Sequence, residues 1–451
     1  MTTIPPSFIK SVNCCEGFDE ELFINAHQLP APTSIRLNPF KPTTLPYTLD
    51  KPVTWSNHGF YLEERPNFTH DVLFQAGCYY VQEAGSMFIE QAMKQHIDFS
   101  QELIGLDLCA SPGGKSTLIN SLLNKQSVLV ANELAKQRAE VLSQNLSKWG
   151  TSNVIVTNND PAVFSNCENA FDFILVDAPC SGSGLFRKQP DAINEWSLDN
   201  VNLCAARQKR ILSEVIGSLK SNGVLVYSTC SYSEQENEEI VDWLIQEFDL
   251  ESLSLKTEAN WGIVETQSKT HKGYGYRFYP HKTQSEGFFC AVLKNKTANG
   301  NKHYRIPKHK NFSALKPKET DVFTNWISKQ EEHVYIKFKD DYLLTNALAV
   351  DFINKHSSLY LKKAGTTIGS VIKNDIIPHQ HLAWSIDVKK EVKRVHCNQD
   401  TAILFLKKEL QLIESNIGWN LMCFNNQGIG WIKQLGNRIN NYLPNEYRIL
   451  K

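Results

Sequence analysis

Short apolar runs alternate with helical patterns through the middle of the chain. Leu103–Cys109 is apolar and stops at Ser111-Pro112-Gly113-Gly114, and a helical pattern then runs to about Asn124. Val128–Ala131, Val154–Thr157, Phe171–Val176 and Gly223–Tyr227 follow as further apolar runs. Between them lie helical patterns near Ala135–Trp149, Leu198–Leu219 and Ser233–Phe248, and Gly287–Leu293 is expected to close the set. Near-continuous apolar strands separated by helices indicate a parallel sheet covered on both faces. This doubly wound α/β pattern places ligands beyond the carboxyl ends of its strands.

The flanks differ. Pro5, Pro6, Pro30, Pro32, Pro39, Pro42, Pro46, Pro52 and Pro66 crowd the start, which reads as a small N-terminal domain of short elements. Lys294–Lys318 holds eight Lys/Arg residues and no acid, with Tyr304 and Phe312 interleaved, and reads as a linker or exposed arm. The remainder reads as mixed α/β. The expected division is 1–75, 76–295, 296–380 and 381–451.

Across the whole chain Lys+Arg is 47 and Asp+Glu is 48, so a nucleic-acid role must rest on local basic patches. A composition of 41% hydrophobic and 21% charged residues excludes a disordered or fibrous protein. The 11 cysteines include no Cys-x-x-Cys pair, which argues against a disulfide framework and a structural zinc, so no metal is expected. The first residues, MTTIPPSFIK, form no secretory signal, and no apolar run approaches the ~18 residues of a membrane helix. A soluble cytoplasmic protein is expected.

The first chemical clue is Cys109-Ala110-Ser111-Pro112-Gly113-Gly114-Lys115 between a strand and a helix. Glycines let the backbone turn tightly, and the helix start offers free N–H groups. The turn ends like a phosphate-binding loop in Gly114-Lys115-Ser116, but that motif needs glycine where Cys109 stands. A P-loop-like NTPase is therefore the rival of another class. Glu133 ends the next strand, where an acid can accept from both ribose hydroxyls, or belong merely to the helix start. Asp160 follows the third strand and can meet an adenine edge or simply cap a helix. Together these features suggest an adenosine cofactor without a phosphate clamp, which points to S-adenosylmethionine.

Two cysteines end further strands: Cys180 in Asp177-Ala178-Pro179-Cys180-Ser181-Gly182, and Cys230 in Ser228-Thr229-Cys230-Ser231-Tyr232. Ser233 and Glu236 fit a capping box, which puts Cys230 just before a helix N-terminus, a position that favours a thiolate. A lone cysteine is most often a small buried hydrophobe, the reading given to Cys78, Cys204 and Cys290.

Asp-Leu-Cys-Ala-Ser-Pro-Gly-Gly-Lys-Ser, Asp-Ala-Pro-Cys-Ser-Gly-Ser-Gly-Leu-Phe-Arg-Lys and Ser-Thr-Cys-Ser-Tyr-Ser-Glu-Gln-Glu-Asn resemble the motifs of the Nol/Nop/Sun (Fmu) family of RNA cytosine-C5 methyltransferases. Ser34–Pro39 and Tyr79–Ala84 resemble that family's upstream segments. Gly428-Ile429-Gly430-Trp431 and the residues after it are similar to its bacterial RsmF-like branch, which acts on 16S rRNA and carries a PUA-like tail. The resemblance implies a Rossmann-like methyltransferase core, a small N-terminal α+β domain and C-terminal RNA-binding units. It implies S-adenosylmethionine held by residues 109–115, Glu133, Asp160 and Asp177, with 16S rRNA or the small ribosomal subunit as partner of a monomer. A tRNA substrate is the alternative. Cys230 becomes the nucleophile and Cys180 the residue that releases product. Asp177 hydrogen-bonds the cytosine edge, which requires it to donate a proton. Lys115 contacts base or cofactor, or stands in solvent. Arg36, Arg187, Lys188, Lys433 and Arg438 are the expected RNA contacts.

Overall fold

The computed structural model describes residues 4–297, 312–338, 340–372 and 375–450. Its central sheet holds five parallel strands in the spatial order Leu219–Thr229, Phe171–Asp177, Ile104–Asp107, Val128–Asn132 and Val154–Thr157. All residues of Val128–Asn132 and Val154–Thr157 are buried, the reason these strands read as unbroken apolar runs. The strand order reverses beside Ile104–Asp107, and that reversal opens a cleft at the carboxyl ends of this strand and Phe171–Asp177.

Phe288–Asn295 joins the sheet antiparallel but does not close it. Tyr274–Phe278 and Val264–Gln267 continue beyond it. The opposite edge is covered by Leu361–Ala364, which pairs antiparallel with Val154–Thr157. The expected helix 198–219 ends at Val215, because Leu219 already begins the next strand.

At the N-terminus, Gly59–Leu62, Thr33–Leu37 and Tyr79–Val81 form a three-stranded sheet whose last strand lies beyond residue 75. The helices Pro6–Val12 and Glu20–His27 do not pack on it. Their Phe8 and Phe23 join Phe186, Trp196, Tyr232 and Tyr279 of the central unit in one aromatic cluster. Toward the C-terminus come a five-stranded sheet ending at Asp375–Pro378 and a four-stranded sheet over Arg394–Asn441. The latter shares a core with the N-terminal unit: Ile35, Leu62, Val72 and Leu73 cluster with Phe405, Met422, Ile432 and Leu443. A cavity of about 510 Å³ lies at this junction, between Tyr47 and Asp71 on one side and Phe424 and Asn425 on the other. In the basic stretch, Lys294 belongs to the strand Phe288–Asn295, while Lys302, Tyr304, Arg305, Lys308 and Lys310 lie outside the described residues. Among the described residues no helix is long and apolar enough to cross a membrane.

Candidate active site

The glycine turn runs from Cys109 to the helix Gly114–Leu122, with Gly113 at φ +114°. Only glycine adopts such a φ without strain. Side chains from the next helix brace the turn: Arg138 donates to the Ser111 carbonyl (3.0 Å) and Asn145 to the Pro112 carbonyl (2.8 Å). Ala110 N–H donates to the Asn132 carbonyl. Asn132 is itself buried and joins three strand ends. It donates to the Leu108 and Asn159 carbonyls and accepts from Thr157 Oγ1 (2.8 Å).

Glu133, also buried, accepts from Ala135 N–H (2.9 Å) and lies 3.6 Å from Arg138. Asp160 is half-exposed. It caps the following 3-10 turn through Ala162 N–H (3.0 Å) and lies 3.6 Å from Arg210. Each acid thus has the local structural role that was its alternative reading, and each stands at the rim expected for an adenosine. A further acid went unnoticed in the sequence. Asp107 closes the first strand with no exposure, accepts from Ser116 Oγ (2.6 Å), and leaves Oδ1 buried without a partner. Burial pushes its carboxyl up to about 7.

Lys115 is neither in solvent nor aimed into a phosphate cradle. Its Nζ donates to Asp177 Oδ2 (2.7 Å), and Ser228 Oγ donates to Asp177 Oδ1 (2.8 Å). Asp177 is thus held from both oxygens, and Lys115 stands beside it as a second polar group at this point of the cleft.

Cys180 and Cys230 end neighbouring strands, and their Sγ atoms lie 3.1 Å apart. The contact with Cys230, then burial, then the charges of Cys230 and Glu236 push the Cys180 thiol well above its ordinary range. Gly184 locks the two loops together, donating to the Cys230 carbonyl (2.8 Å). A Cβ at Gly184 would fall 2.5 Å from the Gly287 oxygen and 2.7 Å from the Cys230 oxygen. The capping box expected of Ser233 and Glu236 does not form. Ser233 makes no cap hydrogen bond, a 3-10 turn occupies Glu234–Glu236, and the helix starts at Glu238. Glu236 turns inward to the cysteine loops instead.

The expected RNA contacts divide. Arg36 is buried and spent, donating to Gln82 Oε1 (2.8 Å), Thr117 Oγ1 (2.6 Å) and the Gly114 carbonyl (3.2 Å), with Trp149 beneath it. Arg187 is likewise taken, by Glu286 (2.9 Å) and the Ser285 and Ala26 carbonyls. Neither guanidinium is open to a phosphate, and both assignments are corrected to structural ties between units. Lys188 is exposed and lines a cavity of about 360 Å³ with Arg65, Gln189 and Ser34, between the N-terminal sheet and the Cys180 loop. Lys433 lies over the Trp419 ring, and Arg438 is exposed in the adjoining turn.

Comparison with known proteins agrees along most of the chain. Residues 94–294 match the 16S rRNA methyltransferase RsmB/F family, residues 4–84 the N-terminal domain of 16S rRNA methyltransferase RsmF, and residues 392–449 the methyltransferase RsmF PUA domain. The ribosomal RNA small subunit methyltransferase F of Shewanella woodyi is 30% identical over 94% of this chain and 92% of its own length. The protein of the same name from Aeromonas hydrophila is 37% identical over 68% and 66%. A solved methyltransferase homolog from Pyrococcus horikoshii is 28% identical, with a TM-score of 0.52 over 64% of this chain and 99% of that one.

Proposed function

The chain belongs to the RsmF family of small-subunit ribosomal RNA methyltransferases, and on that premise we propose that it methylates C5 of a cytosine in 16S rRNA through a covalent cysteine adduct. Its cofactor is S-adenosylmethionine, which supplies an electrophilic methyl group. The residues at the strand ends fit that group: a braced glycine turn, the buried carboxylate of Glu133, and the buried Oδ1 of Asp107, which has no partner. Cys109–Lys115, Glu133 and Asp160 are the residues assigned to hold it.

The observation that carries the reading is the pair of thiols 3.1 Å apart beside the Lys115–Asp177 pair. Cytosine C5 is a poor nucleophile. Addition of the Cys230 thiolate at C6 makes C5 enamine-like, so that C5 would take the methyl group as its bond to the cofactor's sulfonium sulfur breaks and the thioether leaves. Charge moves onto the ring toward N3 during addition, and the Lys115 ammonium, oriented by Asp177, is the donor placed to meet it. Removal of the C5 proton and breaking of the Cys230–C6 bond then release the product, and Cys180 acts in that step. The target base must leave its stack to reach the cleft. Lys188, Lys433 and Arg438 are assigned to the RNA backbone. The enzyme is inferred to work as a cytoplasmic monomer on the small ribosomal subunit, with the N-terminal sheet and the four-stranded C-terminal unit gripping RNA around the central catalytic unit.

Cys230→Ala is expected to abolish methylation and keep cofactor binding, and Cys180→Ala to trap protein on RNA as a denaturation-resistant band. Turnover at the wild-type rate in the Cys230 variant would sink the mechanism. Bisulfite sequencing of total RNA from a deletion strain tests the substrate: a site lost from tRNA rather than 16S rRNA would overturn it.

A further inference from the structure

Glu236 has no exposure, and no cation pairs with it among the described residues. Burying such a carboxylate is tolerable only when its lone pairs are filled. Here they are filled from both cysteine loops. Ser181 N–H (2.9 Å) and Gln208 Nε2 (3.0 Å) donate to Oε1. The Ser181 and Ser231 hydroxyls donate to Oε2. Ser181 follows Cys180, and Ser231 follows Cys230. The neighbouring residue reinforces the tie: Asn237 donates to the Ser231 carbonyl (2.8 Å) and accepts from Thr229 Oγ1 (2.6 Å). Tyr227 OH pins the Glu236 carbonyl (2.6 Å).

We propose that Glu236 is a positioning residue for methyl transfer, a clamp that sets the Cys180 thiol against Cys230 so that release can follow addition. The proposal rests on the cysteine roles given above. Its geometry separates two properties of the side chain, length and charge. Oε1 meets two groups that can only donate, whereas Oε2 meets two hydroxyls that can reverse and accept. Glutamine at this position can therefore keep its oxygen at the Oε1 end and donate from the Oε2 end. The clamp keeps its shape and loses only its charge. Aspartate keeps the charge but is one methylene short, so it cannot hold both loops at once.

The test uses the full chain and the thiol oxidant diamide, which takes two electrons and two protons from Cys180 and Cys230 as an S–S bond forms and is itself reduced to the hydrazine. Peptide mass spectrometry gives the rate of this cross-link, and denaturing gels give covalent RNA adduct during turnover. Glu236→Asp is expected to slow cross-linking at least about tenfold and to accumulate adduct as Cys180→Ala does, while Glu236→Gln stays within about threefold of wild type in cross-linking. Ser181→Ala, which removes one donor and spares the carboxylate, should shift both readouts the same way by less, and serves if the aspartate variant does not fold. Cross-linking at the wild-type rate in Glu236→Asp and Ser181→Ala would overturn the clamp, as would a glutamine variant slower than the aspartate one. If the cysteine roles fail, so that Cys230→Ala still methylates, the cross-linking rates still judge the spacing on their own.

Discussion

Lys115 Nζ lies 2.7 Å from Asp177 Oδ2, which joins the glycine turn after one strand to the carboxyl end of its neighbour. An ion pair so placed serves both halves of the cleft, the cofactor turn and the cysteine loops.

Replacing Lys115 by Met removes the donor proposed above and leaves Asp177 without its cation. Single-turnover methylation is expected to fall by about 100-fold or more, with a smaller change in cofactor affinity. Burial alone would pull the Lys115 ammonium down, but Asp177 outweighs it and holds the group above its ordinary value. A raised lysine stays charged at neutral pH and loses its proton only in strong alkali. Rates should therefore show no loss attributable to Lys115 between about pH 7 and pH 9. A Lys115-dependent decline inside that window would refute the pairing.

The adjacent residues Arg187 and Lys188 should behave in opposite ways. Lys188→Ala is expected to reduce the slope of log affinity against log salt by about 0.7–0.9, the loss of one phosphate contact, at unchanged stability. Arg187→Ala strands buried Glu286 and should cost about 3 kcal/mol of stability. Arg36→Met should likewise show its cost of about 3 kcal/mol in denaturant melts and none in the salt slope. Swapped phenotypes for the first pair would show that Lys188 is not the phosphate contact.

Asp107 makes stability depend on pH. Its folded carboxyl titrates near 7, above its ordinary 3.8, because it is buried. The folded state thus holds the proton more tightly, and stability falls as pH rises from about 4 to about 7, by at most about 4 kcal/mol. Asp107→Asn lacks this penalty. Urea melts of both proteins across the window should diverge toward neutral pH in favour of Asn, and parallel curves would refute the assignment.

Ending the chain after Lys390 removes the four-stranded unit and bares Ile35, Leu62, Val72 and Leu73. The remaining protein should melt at least about 5 °C lower and bind a hydrophobic dye. An unchanged melt would mean that the shared core contributes little and that the C-terminal unit serves RNA alone.

The parallel strands were legible because both faces of each are covered, so Val128–Asn132 or Phe171–Asp177 announces itself by apolar residues alone. Leu361–Ala364 carries Lys362 and Lys363 in four residues and gives no such signal; only its neighbours in space make it a strand of the same sheet. Motif positions put Asp177, Cys180 and Cys230 at one rim, yet residue type misled where a side chain had two possible directions. Glu236 sits three residues after Ser233, as a capping box requires, but the Ser181 loop lies within its reach and draws it inward. Arg36 and Arg187 look like surface cations in a sequence. Carbonyl oxygens and a buried acid, brought together only by folding, absorb them.

The late arrival of Leu361–Ala364 bears on how the protein is made. Tyr360 accepts from Asn158 N–H (3.1 Å) and donates to Asn159 Oδ1 (3.0 Å), in the loop that ends at Asp160. The loop that ends at Asp160 is therefore finished by residues some 200 positions downstream. A ribosome that has just completed the catalytic motifs carries a nascent chain whose Val154–Thr157 edge is apolar and bare. Until the chain from Asn237 to Leu361 has been made, several seconds at ordinary elongation rates, that edge is open to wrong partners, and the central sheet cannot be complete before the chain beyond the basic stretch has begun to appear.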